Sequence, residues 1–210
     1  MVIAIDGPAG SGKSTVAKII ADKLGFVFLN SGSFYRGVSL VVIRQGVSLD
    51  QTEKIVGIAQ SIDFGYGNGR LSVNGEDVED LLHSDSVDAV VAQISAIIPV
   101  RHIINKKIHD IAGNINLVCE GRDMTTVVFP DADFKFFLDA SPEARAERRF
   151  KQGVSDLTLK EITDSIKKRD EIDKNKSEGA LVKAPDAEYF DTSYLTINQV
   201  CDKLLEKIQS

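Results

Sequence analysis

Gly7, Pro8, Ala9, Gly10, Ser11, Gly12, Lys13 and Ser14 stand at the spacing G-x-x-x-x-G-K-[ST], directly after an apolar run at residues 2–5. Residue types in this order suit the binding of a polyphosphate. Glycines let backbone N–H groups turn inward around an anion with no Cβ in the way. A helix opening at Lys13, with Thr15 in its first turn, would add the partial positive charge of its N-terminus. The Lys13 ammonium is expected on the β- and γ-phosphates, and the Ser14 hydroxyl on the Mg²⁺ that accompanies ATP. On average composition the four fixed positions would match by chance in about one chain in a hundred of this length. The cradle is therefore read as a nucleoside-triphosphate site.

Such a cradle serves GTPase switches, ATP-driven motors and small-molecule kinases alike. A guanine reader, N-K-x-D, is approached only at Asn175, Lys176, Ser177 and Glu178, where the acid is Glu. The cations Arg36, Arg101, Arg122, Arg148, Arg149, Arg169, Lys174 and Lys176 exceed what one triphosphate needs. They predict a second anionic substrate, which favours a kinase. His83, His102 and His109 fit no constellation and read as polar surface residues.

The elements that must position these groups follow from pattern. Short apolar runs alternate with amphipathic segments, which predicts an α/β fold with a parallel five-stranded sheet and flanking helices. Expected strands lie at residues 2–5, 27–29, 116–119, 134–138 and 188–190. Ser141 followed by Pro142 reads as a helix start, and Thr158 with Glu161 and Thr196 with Gln199 fit capping boxes. Ile197, Val200, Cys201, Leu204, Leu205 and Ile208 share one helix face, a core-packing pattern. Residues 62–112 break the rhythm: two strand-like runs flank Gly67, Asn68 and Gly69 as a hairpin, and the helical sequence after them is interrupted by Pro99. Residues 148–183 are rich in Lys, Arg and Asp, and are expected to be solvated and mobile.

The chain has 210 residues and a formal net charge of −6, with 43% hydrophobic residues. That is one domain able to fill its own core. The acidic balance argues against a nucleic-acid or anionic-membrane partner. The apolar run at 2–5 is broken by Asp6 and preceded by no basic residue, so no secretory leader is expected. Cys119 and Cys201 read as small buried hydrophobes in a reducing compartment. A cytoplasmic monomer is the expected state.

Beyond the cradle, four runs resemble, in order and spacing, the motifs of the bacterial cytidylate kinases. They are N-S-G-S-F-Y-R at 30–36, E-G-R-D-M-T-T-V-V-F-P at 120–130, R-D-E-I-D at 169–173 and D-T-S at 191–193. The resemblance covers essentially the whole chain. It implies a core (1–61, 113–147 and 184–210), an insert for the monophosphate at about 62–112 and a basic lid at about 148–183. The implied reaction is ATP-dependent phosphorylation of CMP and dCMP. Asp123 and Arg101, assisted by Ser31, would read the cytosine; Tyr35 belongs to the same site. Arg36 and Arg122 would hold the α-phosphate, Arg169 and Asp173 would lie near the ribose hydroxyls, and Lys176 would reach phosphate. Lys13, Arg122, Arg148 and Arg149 would neutralise charge during transfer.

Taken singly, these residues keep other readings open: Arg36 and Arg122 as surface arginines, Asp123 as a helix cap, Arg169 and Asp173 as an i,i+4 ion pair. Several positions depart from the family's usual pattern. Ala92 stands where Ser is common, Glu120 where Asp is, Thr125 where Gly is, and Ile172 and Lys176 where Arg is. The rivals are another small-molecule kinase, of adenylate or shikimate type, and a nucleotide sensor without turnover.

Overall fold

A computed structural model describes the chain except residues 68, 114, 152, 154–156 and 210. The expected hairpin turn at 68 and part of the expected lid, at 152 and 154–156, lie outside the described residues.

Strand β1 (Val2–Asp6) is buried from Ile3 onward and runs parallel to β6 (Leu117–Gly121) on one side and β7 (Phe134–Asp139) on the other. With β2 (Val27–Asn30) and β8 (Glu188–Asp191) they form a five-stranded sheet in the order β2–β6–β1–β7–β8. The central strands β1 and β6, buried along almost their whole length, need no polar alternation, which is why they read as apolar runs, whereas the edge strand β8 is largely exposed. Helix α1 (Lys13–Leu24) and helix α8 (Ile197–Gln209) press Val16, Ile20, Val200 and Leu204 onto Ile3, Ile5, Val118 and Phe136. At roughly 25 cal/mol per Å² of apolar surface, each such side chain contributes about 1.5–3 kcal/mol on burial.

The chain divides into two compact units, residues 1–28 with 116–210, and residues 29–115. The second unit holds α2 (Ser31–Arg44), α3 (Thr52–Ser61), an antiparallel sheet of β3 (Phe64–Gly67), β4 (Arg70–Val73) and β5 (Glu76–Asp77), then α4 (Asp85–Ile94) and α5 (Ile98–Ala112). Helices α2 and α3 thus group with the 62–112 segment rather than with the sequence before it. The packing gives the reason: Gly37 of α2 lies against Leu71, Phe64 and Val73, and Phe34 meets the rings of Phe64 and Tyr66. Pro99 sits in the first turn of α5, where its missing N–H costs no helix bond, so the interruption is a helix start.

In the first unit, the basic segment is two packed helices, α6 (Pro142–Lys151) and α7 (Leu159–Lys174). Ala146, Ile162 and Ile166 form a small core between them. The solvated character expected for 148–183 is partial: Asp170 and Asp173 are buried, as is Arg145 just ahead of it. The Thr158–Glu161 capping box is formed at the start of α7, and the Thr196 hydroxyl accepts from Gln199 N at 3.3 Å ahead of α8.

Candidate active site

In the first unit the cradle follows β1 without a break. A Cβ on Gly7 would stand 2.0 Å from the Leu138 carbonyl oxygen, and Gly12 caps α1 at φ 91°, so both positions require glycine. Pro8, Gly7 and Ser11 are buried, Ala9, Gly12 and Ser14 half-buried, and Gly10 and Thr15 exposed. The Lys13 ammonium folds back to donate to the Pro8 carbonyl at 3.2 Å and lies 3.6 Å from Glu120 Oε2. Burial, with the positive charges of Arg122 and Arg169, pushes the Lys13 pKa down to about 8, while Glu120 and Asp173 oppose the drop.

Ser14 Oγ donates to Glu120 Oε1 at 2.7 Å, placing a hydroxyl and a carboxylate side by side at the end of β6. Hard oxygen donors of this kind fit Mg²⁺, which keeps most of its waters and takes the rest of its shell from nucleotide phosphates. Among the described residues no three His, Cys, Asp or Glu side chains gather as a metal cluster.

The residues after Glu120 make a buried turn. Arg122 donates from Nε to Asp173 Oδ2 at 2.8 Å, and Lys176 Nζ donates to Asp173 Oδ1 at 2.8 Å. Burial alone would raise the Asp173 pKa, but the Arg122 and Lys176 charges override it and hold the carboxyl well below its ordinary range. Arg122 is only 18% exposed and so is no surface arginine. Asp123 is buried and its side chain does not cap the turn it precedes, residues Met124–Val128. Arg148 donates to Ser11 O at 3.3 Å and to Thr192 O, tying α6 to the cradle and to the loop after β8. Arg149 and Arg169 are half-buried on α6 and α7.

The second unit holds the remaining expected site residues. Ser31 is buried at the start of α2, where Asn30 Oδ1 accepts from Gly32 N at 2.9 Å. Arg36 is held by Leu82 O and by Asp88 Oδ1, each at 2.7 Å. Arg101 is 2% exposed, with its guanidinium 5.7 Å from the Tyr35 ring centre and Nη1 3.1 Å from Ser95 O. Such a cation over an aromatic face is worth about 2 kcal/mol when desolvated. The Ser95 hydroxyl donates to the Ala92 carbonyl at 2.9 Å.

The sequence model of the cytidylate kinases matches residues 3–210. The chain belongs to the cytidylate kinase family. It is 39% identical over 212 residues to cytidylate kinase 1 of Borreliella afzelii, covering 99% of this chain and 96% of that one. It is 41% identical over 210 residues to the cytidylate kinase of Caldanaerobacter subterraneus, covering 99% and 94%. Among solved structures, shikimate kinase from Bacteroides thetaiotaomicron shares the fold at a TM-score of 0.53 and 15% identity, over 100% of this chain and 99% of that one. An uncharacterised Eubacterium ventriosum protein does so at 0.55 and 13%, with coverage of 100% and 99%.

The kinase also has buried or half-buried polar residues that the motifs did not single out. Asp6, at the end of β1, accepts from three donors on Met124 and Thr125. Arg145 bonds Ala9 O, Ala140 O and Asp170, and Asp88 holds Arg36. For Asp6 the signal was available: an acid ending a buried apolar strand must find donors. For the Arg145–Asp170 pair, 25 positions apart, no periodic signal exists. Cys119 and Cys201 are buried thiols, as expected. Among the described residues no single helix is long and apolar enough to cross a membrane.

Proposed function

We propose that this kinase transfers the γ-phosphoryl group of ATP to CMP or dCMP, giving CDP or dCDP, with the residues set out above. The observation that supports the assignment of roles is the meeting, in the first unit, of the cradle with the 120–123 and 169–173 motifs: Lys13 lies 3.6 Å from Glu120, two residues before Arg122, and Arg122 in turn holds Asp173. Lys13 would take the β- and γ-phosphates on the backbone cradle of residues 7–15, and Arg122 the acceptor phosphate. Ser14, with Glu120 behind it, would hold Mg²⁺. Bound there, the ion would neutralise developing charge on the transferring group.

An α-phosphate oxygen of CMP is already anionic near neutral pH, so attack on the γ-phosphorus needs no strong general base. Alignment and charge are what the residues supply. Lys13, Arg148 and Arg149 would balance the equatorial oxygens. The 148–183 segment would act as the lid that keeps water out, and 62–112 as the monophosphate-binding insert. Cytosine presents a donor at N4 and acceptors at N3 and O2. By the resemblance, Asp123 as acceptor and Arg101 as donor would be its complement, and Ser31, Tyr35, Arg36, Arg169, Asp173 and Lys176 would be further contacts of the nucleotide. Uracil reverses the pattern at positions 3 and 4, and a mismatched buried polar group costs about 1–3 kcal/mol. We further read the protein as a cytoplasmic monomer acting on small nucleotides and on neither nucleic acid nor membrane.

The test is ADP release with MgATP and, separately, CMP, dCMP, UMP, AMP and shikimate, against a control without acceptor. CMP should exceed UMP by at least about tenfold, the worth of one mismatched polar group. Asp123→Ala should erase that preference while leaving MgATP affinity unchanged. Turnover with another acceptor, or an equal loss of MgATP binding in Asp123→Ala, would overturn the base assignment.

A further inference from the structure

We propose that Asp6 is a positioning residue for the turn that carries Arg122 and Asp123, and that the Thr125 hydroxyl is a working part of that clamp. The proposal rests on the reading that Arg122 and Asp123 meet the acceptor nucleotide.

Asp6 ends β1 and is followed at once by Gly7, the first residue of the cradle; its side chain is fully buried. Its Oδ1 accepts from Met124 N at 2.8 Å, and its Oδ2 accepts from Thr125 N at 2.8 Å and from Thr125 Oγ1 at 2.6 Å. These donors lie 118 and 119 positions away along the chain. They open a wide five-residue turn, Met124–Val128, in which the Asp123 carbonyl accepts from Val127 N at 2.9 Å and Val128 N at 3.1 Å. The first N–H groups of such a turn have no partner inside it, so whatever accepts them sets the direction in which the preceding residues project. Here the preceding residues are Arg122 and Asp123.

One carboxylate therefore joins the donor cradle, through the peptide bond to Gly7, to the acceptor-reading turn, through three charge-assisted hydrogen bonds. Two of the donors are backbone groups, Met124 N and Thr125 N, which do not depend on the side chain at 125. The third is the Thr125 hydroxyl, so the departure from Gly at this position adds a bond instead of merely filling space. Wide turns of this type recur at functional sites. Misplacing aligned reacting groups by a fraction of an ångström is costly in rate.

The experiment measures KM for CMP and for MgATP separately, and the CMP to UMP ratio of kcat/KM, in wild type, Thr125→Val, Thr125→Ser and Asp6→Asn. Valine keeps the shape of threonine and removes the hydroxyl. Thr125→Val should raise KM for CMP about fivefold to tenfold, the loss of one buried hydrogen bond, and lower the CMP to UMP ratio, with KM for MgATP unchanged. Thr125→Ser should restore wild-type values. Asp6→Asn turns an amide N–H toward a backbone N–H and should show the larger effect in the same direction; if it does not fold, Thr125→Val decides. A change in melting temperature alone, equal changes in both KM values, or no change in either would make the clamp merely structural and overturn the proposal. Absence of CMP turnover in the wild type would remove the underlying reading, and the proposal with it, before any variant is compared.

Discussion

Arg122 and Asp173 are bonded to each other, Nε to Oδ2 at 2.8 Å, with Lys176 on the second carboxylate oxygen at 2.8 Å. Of these three residues proposed to face the acceptor nucleotide, the one carboxylate is shared by two cations, which leaves a net positive charge. A nucleotide phosphate arriving at Arg122 exchanges one anion for another, which avoids desolvating a bare guanidinium on binding.

Replacing Asp173 by Asn leaves two cations facing each other at side chains 18% and 4% exposed. Breaking a buried pair from one side costs about 3 kcal/mol, read as a lower urea midpoint. The pH dependence has a definite sign. A carboxyl held below its ordinary range in the fold contributes stability that is complete above its unfolded pKa, about 3.9, and is lost as pH falls from there toward the folded value. The gap between wild type and Asp173→Asn should therefore be constant from pH 5 to 7 and close only below about pH 4. A gap that closes near neutrality would show that another group is titrating.

Lys13 carries the opposite shift. Its pKa of about 8 lies below the ordinary 10.5, so the ligand-free chain should gain stability as pH rises from 8 toward 10.5. Triphosphate binding at Lys13, as proposed, would restore the charged form and take up protons in proportion to the neutral fraction. Calorimetry in buffers of different ionisation enthalpy should find an uptake of about half a proton at pH 8 and almost none near pH 6.5. Lys13→Met should abolish the uptake. An uptake that is the same at both pH values would show that Lys13 is not the group involved.

Glu120 accepts from Ser14 Oγ at 2.7 Å and is 2% exposed. If Ser14 faces Mg²⁺ as proposed, the loss of the carboxylate behind it should cost about 10–100-fold in metal affinity or activity. With Glu120→Gln, the Mg²⁺ concentration for half-maximal turnover at saturating CMP should rise by that factor. If kcat falls with no change in Mg²⁺ dependence, Glu120 acts through Lys13 instead.

What the sequence showed and what it hid divide along physical lines. The sheet strands at 2–5, 27–29, 116–119, 134–138 and 188–190 each fall within an observed strand or within one residue of it; burial leaves β1 and β6 as apolar runs, while the edge strands β2 and β8, partly exposed, were marked by short runs of apolar and aromatic residues. The Thr158 cap and the Gly7 to Ser14 cradle were legible because their chemistry is local. Hidden were the partners that tertiary structure alone brings together: Asp6 with Thr125, Arg36 with Asp88, Arg145 with Asp170. Helices α2 and α3 lie in the 1–61 stretch that the resemblance assigns to the core, and they group instead with residues 62–112; amphipathic periodicity shows that a face is buried but not against what.

Arg145 illustrates the last point and yields a separable test. Its guanidinium donates to Asp170 Oδ1 at 3.0 Å and to Ala9 O in the cradle at 3.1 Å, while Nε reaches Ala140 O at 2.8 Å. At 2% exposure, losing either charge alone should cost about 3–5 kcal/mol. Arg145→Lys should not rescue, because an ammonium cannot span a carboxylate fork and two carbonyls at once. Exchanging both partners for apolar residues, Arg145→Met with Asp170→Leu, removes the buried charges together and should recover most of the stability. It cannot restore the bond to Ala9. The double variant should therefore regain its urea midpoint while KM for MgATP stays raised about tenfold, the worth of one charge-assisted hydrogen bond. Recovery of both would show that the pair only fastens α6 to α7, and recovery of neither would show that apolar packing cannot replace it.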